Sequence, residues 1–306
     1  MKLTKQIKAD LFLLLITVVW GTSFILMKNI QDYLPSFAYL SMRFIIASLV
    51  LVLVFRKSLM HTNRKTLLLG SVLGIMLFSI MGFQVFGLLY TSASNSAFIT
   101  GMNVVMVPIV SAYFLKKKPD ISSVIGVFLA FIGIFFLTGI VDLSSTFGIT
   151  FNFQLNFGDI LTFLCALCVT LQIIFIDKFT QNHDPKVLSV MQVGVAAVLY
   201  TFLWIIIDNK PLTFNGPVIF TLLLTGILGT AMAFAGQTIL QKNTTPTHTA
   251  LIFTAEPVFG AVFALIIPST MGIVETLKPN TIAGSVLILT GMLISELLPS
   301  KKILKP

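Results

Sequence analysis

The chain has 306 residues, of which 56% are hydrophobic, 11% aromatic and only 10% charged, with a formal net charge of +9. Soluble domains are nearer a quarter charged, so length alone does not divide this chain into soluble domains, and it has no polar face to offer water. Its basic residues sit in small clusters between apolar stretches rather than along one groove-sized face, which argues against nucleic acid as a partner.

Ten apolar stretches run along the chain, at 10–30, 36–56, 66–90, 92–115, 120–140, 158–179, 186–208, 216–240, 246–268 and 278–298. Each is long enough to cross a bilayer as a helix. A membrane barrel would instead show shorter segments of alternating polarity, and a helix satisfies its own backbone groups in lipid. The first stretch follows Lys2, Lys5 and Lys8 but is too long for a signal peptide and lacks a small-residue cleavage site, so it reads as a retained span. Pro108 and Pro257 predict kinks in the fourth and ninth spans. Cys165 and Cys168, with no Cys or His partner nearby in sequence, read as small apolar side chains of the sixth span. Tyr33, Tyr39, Tyr90 and Trp204 fall near the outer boundary and read as belt residues.

With the N-terminus in the cytoplasm, sixteen of the 20 Lys and Arg residues lie on the inner side, Lys28, Lys210 and Lys278 lie outside, and Arg43 lies within a span. This is the positive-inside pattern. It predicts a multi-pass plasma-membrane protein with both termini cytoplasmic.

The two halves resemble each other. A shift of 153 pairs Gln84 with Gln237, Ser96 with Thr249, Ala97-Phe98-Ile99 with Ala250-Leu251-Ile252, and Asn103 with Glu256. A shift of 158 pairs Gly126 and Gly133 with Gly284 and Gly291, and one of 149 pairs Asp10 with Asp159. Each half holds five helices, an odd number, so the second copy enters the membrane from the opposite side. The expected organisation is a first repeat at 1–141, an outer loop at 142–157, a second repeat at 158–299 and a cytoplasmic tail at 300–306. The fold class is all-α, ten transmembrane helices in two inverted five-helix repeats, with a site near the midplane between them.

Trp20-Gly21-Thr22-Ser23-Phe24 in the first span and Ala250-Leu251-Ile252 followed by Glu256-Pro257-Val258-Phe259 in the ninth resemble the EamA family of the drug/metabolite transporter superfamily, as do the paired glycines of the fifth and tenth spans. The resemblance covers nearly the whole chain. It implies a basket of ten helices and transport of small metabolites, often amino acids. Two places depart from the family pattern. Ile266-Ile267-Pro268-Ser269 stands where Gly-Glu is common, with Glu275 only later, and Lys116-Lys117-Lys118 stands where an acidic residue is frequent. Roles tied to those acids do not carry over.

Polar groups within spans are costly and point to function. Glu256 lies about 15 Å deep by helix rise. Two roles are open to it: a proton carrier, or a protonated side chain bonding the Phe253 carbonyl that Pro257 leaves without a donor. Its mate Asn103 lies at similar depth, and Ser96 and Thr249 stand two turns earlier on the same helix faces. These stripes either line a pathway or bond between helices. Arg43 suits a carboxylate, from substrate or from Glu256, through its planar fork; the alternative is snorkelling to the interface. Its mate Gln192 is neutral. Gln84, Gln172 and Gln237 are intramembrane amides for substrate or for helix contacts. Trp20, mid-span, either stacks on substrate or packs. His248 is expected at the cytoplasmic interface with no role of its own.

The expectation is a secondary active transporter of amino acids or related polar and amphipathic solutes, working by alternating access, with export the expected direction and proton coupling at Glu256. The substrate-binding candidates are Trp20, Arg43, Gln84, Asn103, Gln172, Gln237 and Glu256. No Gly-Lys-Ser/Thr nucleotide loop occurs, and no cofactor or metal is implied. The partners are a small-molecule substrate, protons and the lipid bilayer; oligomeric state is not legible. Two other classes stay open. One is a channel. The other is an intramembrane lipid-modifying enzyme, although His61, His183 and His248 are not spaced as ligands.

Overall fold

The computed structural model describes residues 4–30, 33–88, 90–91, 93–116, 119–138, 140–142, 150–151, 156–208, 211–267 and 278–298. Lys2, Lys117, Lys118, Pro268, Ser269, Glu275, Lys210, Lys301, Lys302 and Lys305 lie outside the described residues, as do the tail 300–306 and most of the 142–157 connection.

The apolar runs form helices α1 (Lys5–Lys28), α2 (Ser36–Met60), α3 (Arg64–Leu88), α4 (Ala93–Gly101), α5 (Asn103–Phe114), α6 (Ile121–Leu137), α7 (Phe157–Phe179), α8 (Pro185–Ile207), α9 (Gly216–Gly226), α10 (Ala233–Leu240), α11 (Pro246–Phe253), α12 (Glu256–Ala264) and α13 (Pro279–Leu297). A π-helical turn, Ile227–Met232, joins α9 to α10. Among the described residues seven helices are long and apolar enough to cross a membrane, and Ile121–Leu137 and Pro279–Ser295 are shorter apolar helices. With the α11–α12 pair these make the ten crossings of the expected fold. One element was not expected: Val141–Asp142 pairs antiparallel with Thr150–Phe151 in the α6–α7 connection. Asn280 Nδ2 at the start of α13 donates to the Val141 carbonyl at 2.8 Å.

Several helices begin where the sequence places an oxygen to accept a first-turn N–H. Asp120 accepts from Ser123 N in α6, Asn215 from Val218 N in α9, and Thr245 from His248 N in α11. Asn156 and Asp159 form a reciprocal capping box at α7. The start of α2 is capped from the other repeat: Asp208, just past α8, accepts from Phe37 N and Ala38 N at 2.9 and 3.0 Å.

The fourth and ninth spans, expected as single helices kinked at proline, are each two helices. The breaks fall at Met102 and at Thr254–Ala255, equivalent positions under the shift of 153. At both, the backbone tightens to three-residue bonds: Met102 N to Ile99 O, and Ala255 N to Ile252 O. Such tightening inside a span is a common hinge. Pro257 sits in the first turn of α12, where its missing N–H removes no bond the helix would otherwise make. Pro108 stays inside α5, six residues past the break, so proline is not what divides the fourth span.

The packing obeys the inversion. The pairs α2–α8 and α6–α13 join equivalent helices of the two repeats, and α1 packs on α12 as its mate α7 packs on α4 and α5. In the α6–α13 seam a Cβ added to Gly126 would lie 2.5 Å from the Gly291 carbonyl oxygen, and one added to Gly284 2.6 Å from that of Gly133. Small residues let the two backbones touch there. Outward faces carry Leu53, Ile109, Phe128, Val198 and Phe202, while Arg43, Gln192, Gln237 and Gln241 are buried. A bundle apolar outside and polar within is arranged for lipid. The described basic residues Lys5, Lys8, Arg56, Lys57, Arg64, Lys65, Lys116, Lys178, Lys186 and Lys242 stand at helix ends on one side of the bundle, the basic end.

Candidate functional site

The π-helical turn organises the centre. Its wider spiral lets Thr230 Oγ1 donate to Thr225 O, five residues back, at 2.9 Å, and presents the Gly229 carbonyl sideways. Two side chains of the first repeat hold that carbonyl: Trp20 Nε1 at 2.8 Å and Arg43 Nη2 at 3.1 Å. Arg43 Nε also donates to Thr230 Oγ1 at 2.6 Å. A Cβ at 229 would stand 3.2 Å from Ser23 Oγ and 3.4 Å from Arg43 Nη2, so a larger residue there would ask the Ser23 hydroxyl to give by a few tenths of an ångström. The Arg43 guanidinium lies 6.0 Å from the Tyr39 ring centre, and Tyr39 OH donates to Thr225 Oγ1 at 3.0 Å. Arg43 is 6% exposed. It points inward and does not snorkel. Tyr39, expected in the outer belt, is buried for the same reason: its hydroxyl serves this cluster.

Glu256 is brought to the same place by glycine. A Cβ on Gly21 would lie 2.7 Å from Gly260 N and 2.9 Å from Glu256 O, so only glycine there lets α12 lie against α1. The Glu256 side chain is partly buried, and the Arg43 charge acts on it through space. Trp20 packs against Phe253, 5.1 Å away just before the α11–α12 break, and against Phe234, 5.5 Å away in α10. Trp20, Arg43 and Glu256 therefore share one centre, built from α1, α2, the π turn and α12. A guanidinium has five N–H donors, and Arg43 spends one on Thr230 and one on Gly229. The centre offers an oriented cation within electrostatic reach of a carboxylate, with the Trp20 indole bonded to the same carbonyl that the cation holds.

The amides form a second group nearer the basic end. Gln237 Nε2 donates to Gln241 Oε1 at 3.3 Å, and Gln241 Nε2 to Ile173 O at 2.6 Å, next to Gln172. Gln192 Nε2 donates to Thr238 Oγ1 at 3.0 Å. Gln237 Oε1, Gln192 Oε1 and Gln172 Nε2 are buried without a protein partner. Gln84 is partly buried in α3, and Asn103, buried, opens α5 as Glu256 opens α12. Ser96 and Thr249 are both buried but do not meet: Ser96 Oγ accepts from Thr162 Oγ1 of α7, while Thr249 donates back to Thr245 O of its own helix.

His248, expected at the interface, is buried and joins the repeats. Its Nε2 lies 3.1 Å from Ser123 Oγ in α6, and its Nδ1 lies 3.4 Å from Gln6 Nε2 in α1. Ser123 Oγ also lies 3.2 Å from Ser295 Oγ in α13. Asp120, which caps α6 outside the spans, is held below its ordinary carboxylate range. Burial opposes this, but the Ser123 hydroxyl and N–H and the nearby His248 outweigh it. Cys165 and Cys168 are free thiols.

Thr230, Gly229 and Gln241 were not singled out from sequence. Gly226, Gly229 and Thr230 in an otherwise apolar run were the available signal, since small residues invite a close approach to the backbone.

An inverted-repeat membrane bundle with a charged, aromatic-lined centre between its halves defines a multi-pass membrane transporter. The comparisons agree. The family model for the EamA-like transporter family matches residues 7–139 and 156–297, and the chain belongs to that family. An uncharacterized transporter of Archaeoglobus fulgidus is 33% identical over 96% of this chain and 87% of its own. The uncharacterized transporter YyaM of Bacillus subtilis is 25% identical over 94% and 93%. A solved crystal structure superposes with a TM-score of 0.79 over 98% of this chain and all of that one, at 16% identity, which shows the shared fold.

Proposed function

We propose that this transporter carries small zwitterionic or polar solutes, amino acids among them, outward across the plasma membrane by alternating access. The observation that carries the reading is the Trp20–Arg43–Glu256 centre, where a cation anchored on the Gly229 carbonyl stands near a carboxylate at a break in the ninth span. Arg43 binds the substrate carboxylate with its remaining donors. Glu256 receives either the substrate ammonium or a proton, which links the two fluxes. Trp20 walls the site, and Asn103, Gln84, Gln172 and Gln237 line the path on either side. The mirrored breaks at Met102 and Thr254–Ala255 are the hinges by which the repeats exchange exposure. The basic end faces the cytoplasm, with both termini there.

The test is flux in proteoliposomes of purified protein, with radiolabelled amino acids as probes and an imposed pH gradient. Wild type accumulates at least one probe in response to the gradient, and Glu256→Gln retains exchange while losing the pH-driven component. Gradient-driven accumulation that survives the Glu256→Gln change refutes the coupling role. Absence of any amino acid flux in wild type refutes the substrate class.

A further inference from the structure

The basic end holds a cavity of about 380 Å³, well away from the Trp20–Arg43–Glu256 centre, between the α2–α3 and α7–α8 connections. It is lined by Lys57, His61, Thr62 and Thr66 from the first repeat and by Asn182 and His183 from the second. We propose that this cavity binds a phosphate group.

Several of its polar groups are free to serve a ligand. His61 Nδ1 lies 2.9 Å from the Lys57 carbonyl, which can only accept, so the ring proton is on Nδ1 and Nε2 is left open. Thr66 Oγ1 gives its proton to Asn63 Oδ1 at 2.9 Å, so His183 Nδ1, 2.7 Å from the same oxygen, is the donor there. That leaves Nε2 open on the second ring too. The Thr62 hydroxyl is buried with no protein partner. Lys57 is exposed, and Arg56, Arg64 and Lys65 stand beside it on the same two helix ends. One carboxylate lines the cavity, Asp184. Its Oδ1 already accepts from Lys186 N at 2.9 Å, where it caps α8.

Depth identifies the chemistry further. The cavity opens where α2 ends at Met60 and α3 begins at Arg64. Ends of membrane-spanning helices lie at headgroup level, where clustered basic residues meet anionic lipid. The ligand is a phosphate ester or free phosphate, and two arms separate these sources. Purified protein is melted in neutral detergent with rising inorganic phosphate at constant ionic strength. In parallel it is melted in nanodiscs of phosphatidylcholine alone and of phosphatidylcholine with phosphatidylglycerol. A rise in melting temperature with inorganic phosphate identifies a free phosphate site; a rise with phosphatidylglycerol alone identifies a lipid headgroup site. In either case the Lys57→Gln/His61→Gln variant, altered at two exposed residues, must bind about tenfold or more weakly, through loss of the charge-assisted Lys57 contact and of the His61 ring. Lys57→Arg must retain binding. A wild type that responds to neither ligand, or a response that the double variant keeps in full, overturns the proposal.

Discussion

Replacing Gly126 with alanine tests whether the α6–α13 seam holds the two repeats together by backbone contact. The new Cβ would stand 2.5 Å from the Gly291 carbonyl oxygen, 3.0 Å from Leu251 Cδ2 and 3.1 Å from Ser295 Cβ. Ordinary contact begins at 3.4 Å, and the first of these neighbours is backbone, so the helices must separate by a large fraction of an ångström. Overpacking of this kind costs about 1–3 kcal/mol. Alanine is also the better helix former by up to about 1 kcal/mol, which masks part of the cost. Gly82→Ala removes that ambiguity, because a Cβ at 82 meets nothing within 4 Å. Measured by Trp20 and Trp204 fluorescence on heating in neutral detergent, Gly126→Ala should melt about 2–12 °C below Gly82→Ala, at about 2–4 °C per kcal/mol. Gly291→Ala should behave alike, since its Cβ would meet Gly126 O at 2.5 Å. The double variant should lose less than the sum, because the first alanine opens the gap that the second needs. A Gly126→Ala protein that melts within a degree of Gly82→Ala would refute the close seam.

Arg43→Lys keeps the charge but not the fork that grips Thr230 and Gly229 together; flux of the best amino acid probe should fall at least tenfold, with Arg43→Gln no better. Trp20→Phe removes the indole bond to Gly229 O while Arg43 Nη2 still satisfies that carbonyl. The loss should therefore stay near 1 kcal/mol, read as a drop of a few degrees in melting temperature. Asp120 is held below its ordinary value of 3.8. Its contribution is thus present above that value and lost as pH falls through the depressed one. The wild-type melting temperature should show an acid-side fall below about pH 4, and Asp120→Asn should flatten that limb in a pH series of melts.

The elements legible in the sequence were those set by one residue's polarity. An apolar run of twenty residues has one solution in lipid, so ten crossings could be read directly. The costliest polar groups, Arg43 and Glu256, could be named because nothing but a site or a buried bond accounts for them there. Their partners could not be read, because the partners are backbone. The Gly229 carbonyl that anchors both Trp20 and Arg43 exists as an acceptor only because the eighth span widens into a π turn, and no side chain announces that widening. The same holds for the helix breaks. Pro108 and Pro257 drew attention to the right spans, yet the fourth breaks at Met102, which carries no signal of its own. It is legible only through its mate, since 102 and 255 correspond under the repeat. Inverted symmetry also explains why a carboxylate and an amide open equivalent half-helices, α12 and α5. Duplication fixed the position twice, and the two halves then filled it differently, placing a carboxylate in the second half only. Under the proposed function, the residues that differ between the halves, and not the matched glycines of the seam, are the ones that would recognise an asymmetric substrate within a nearly symmetric frame.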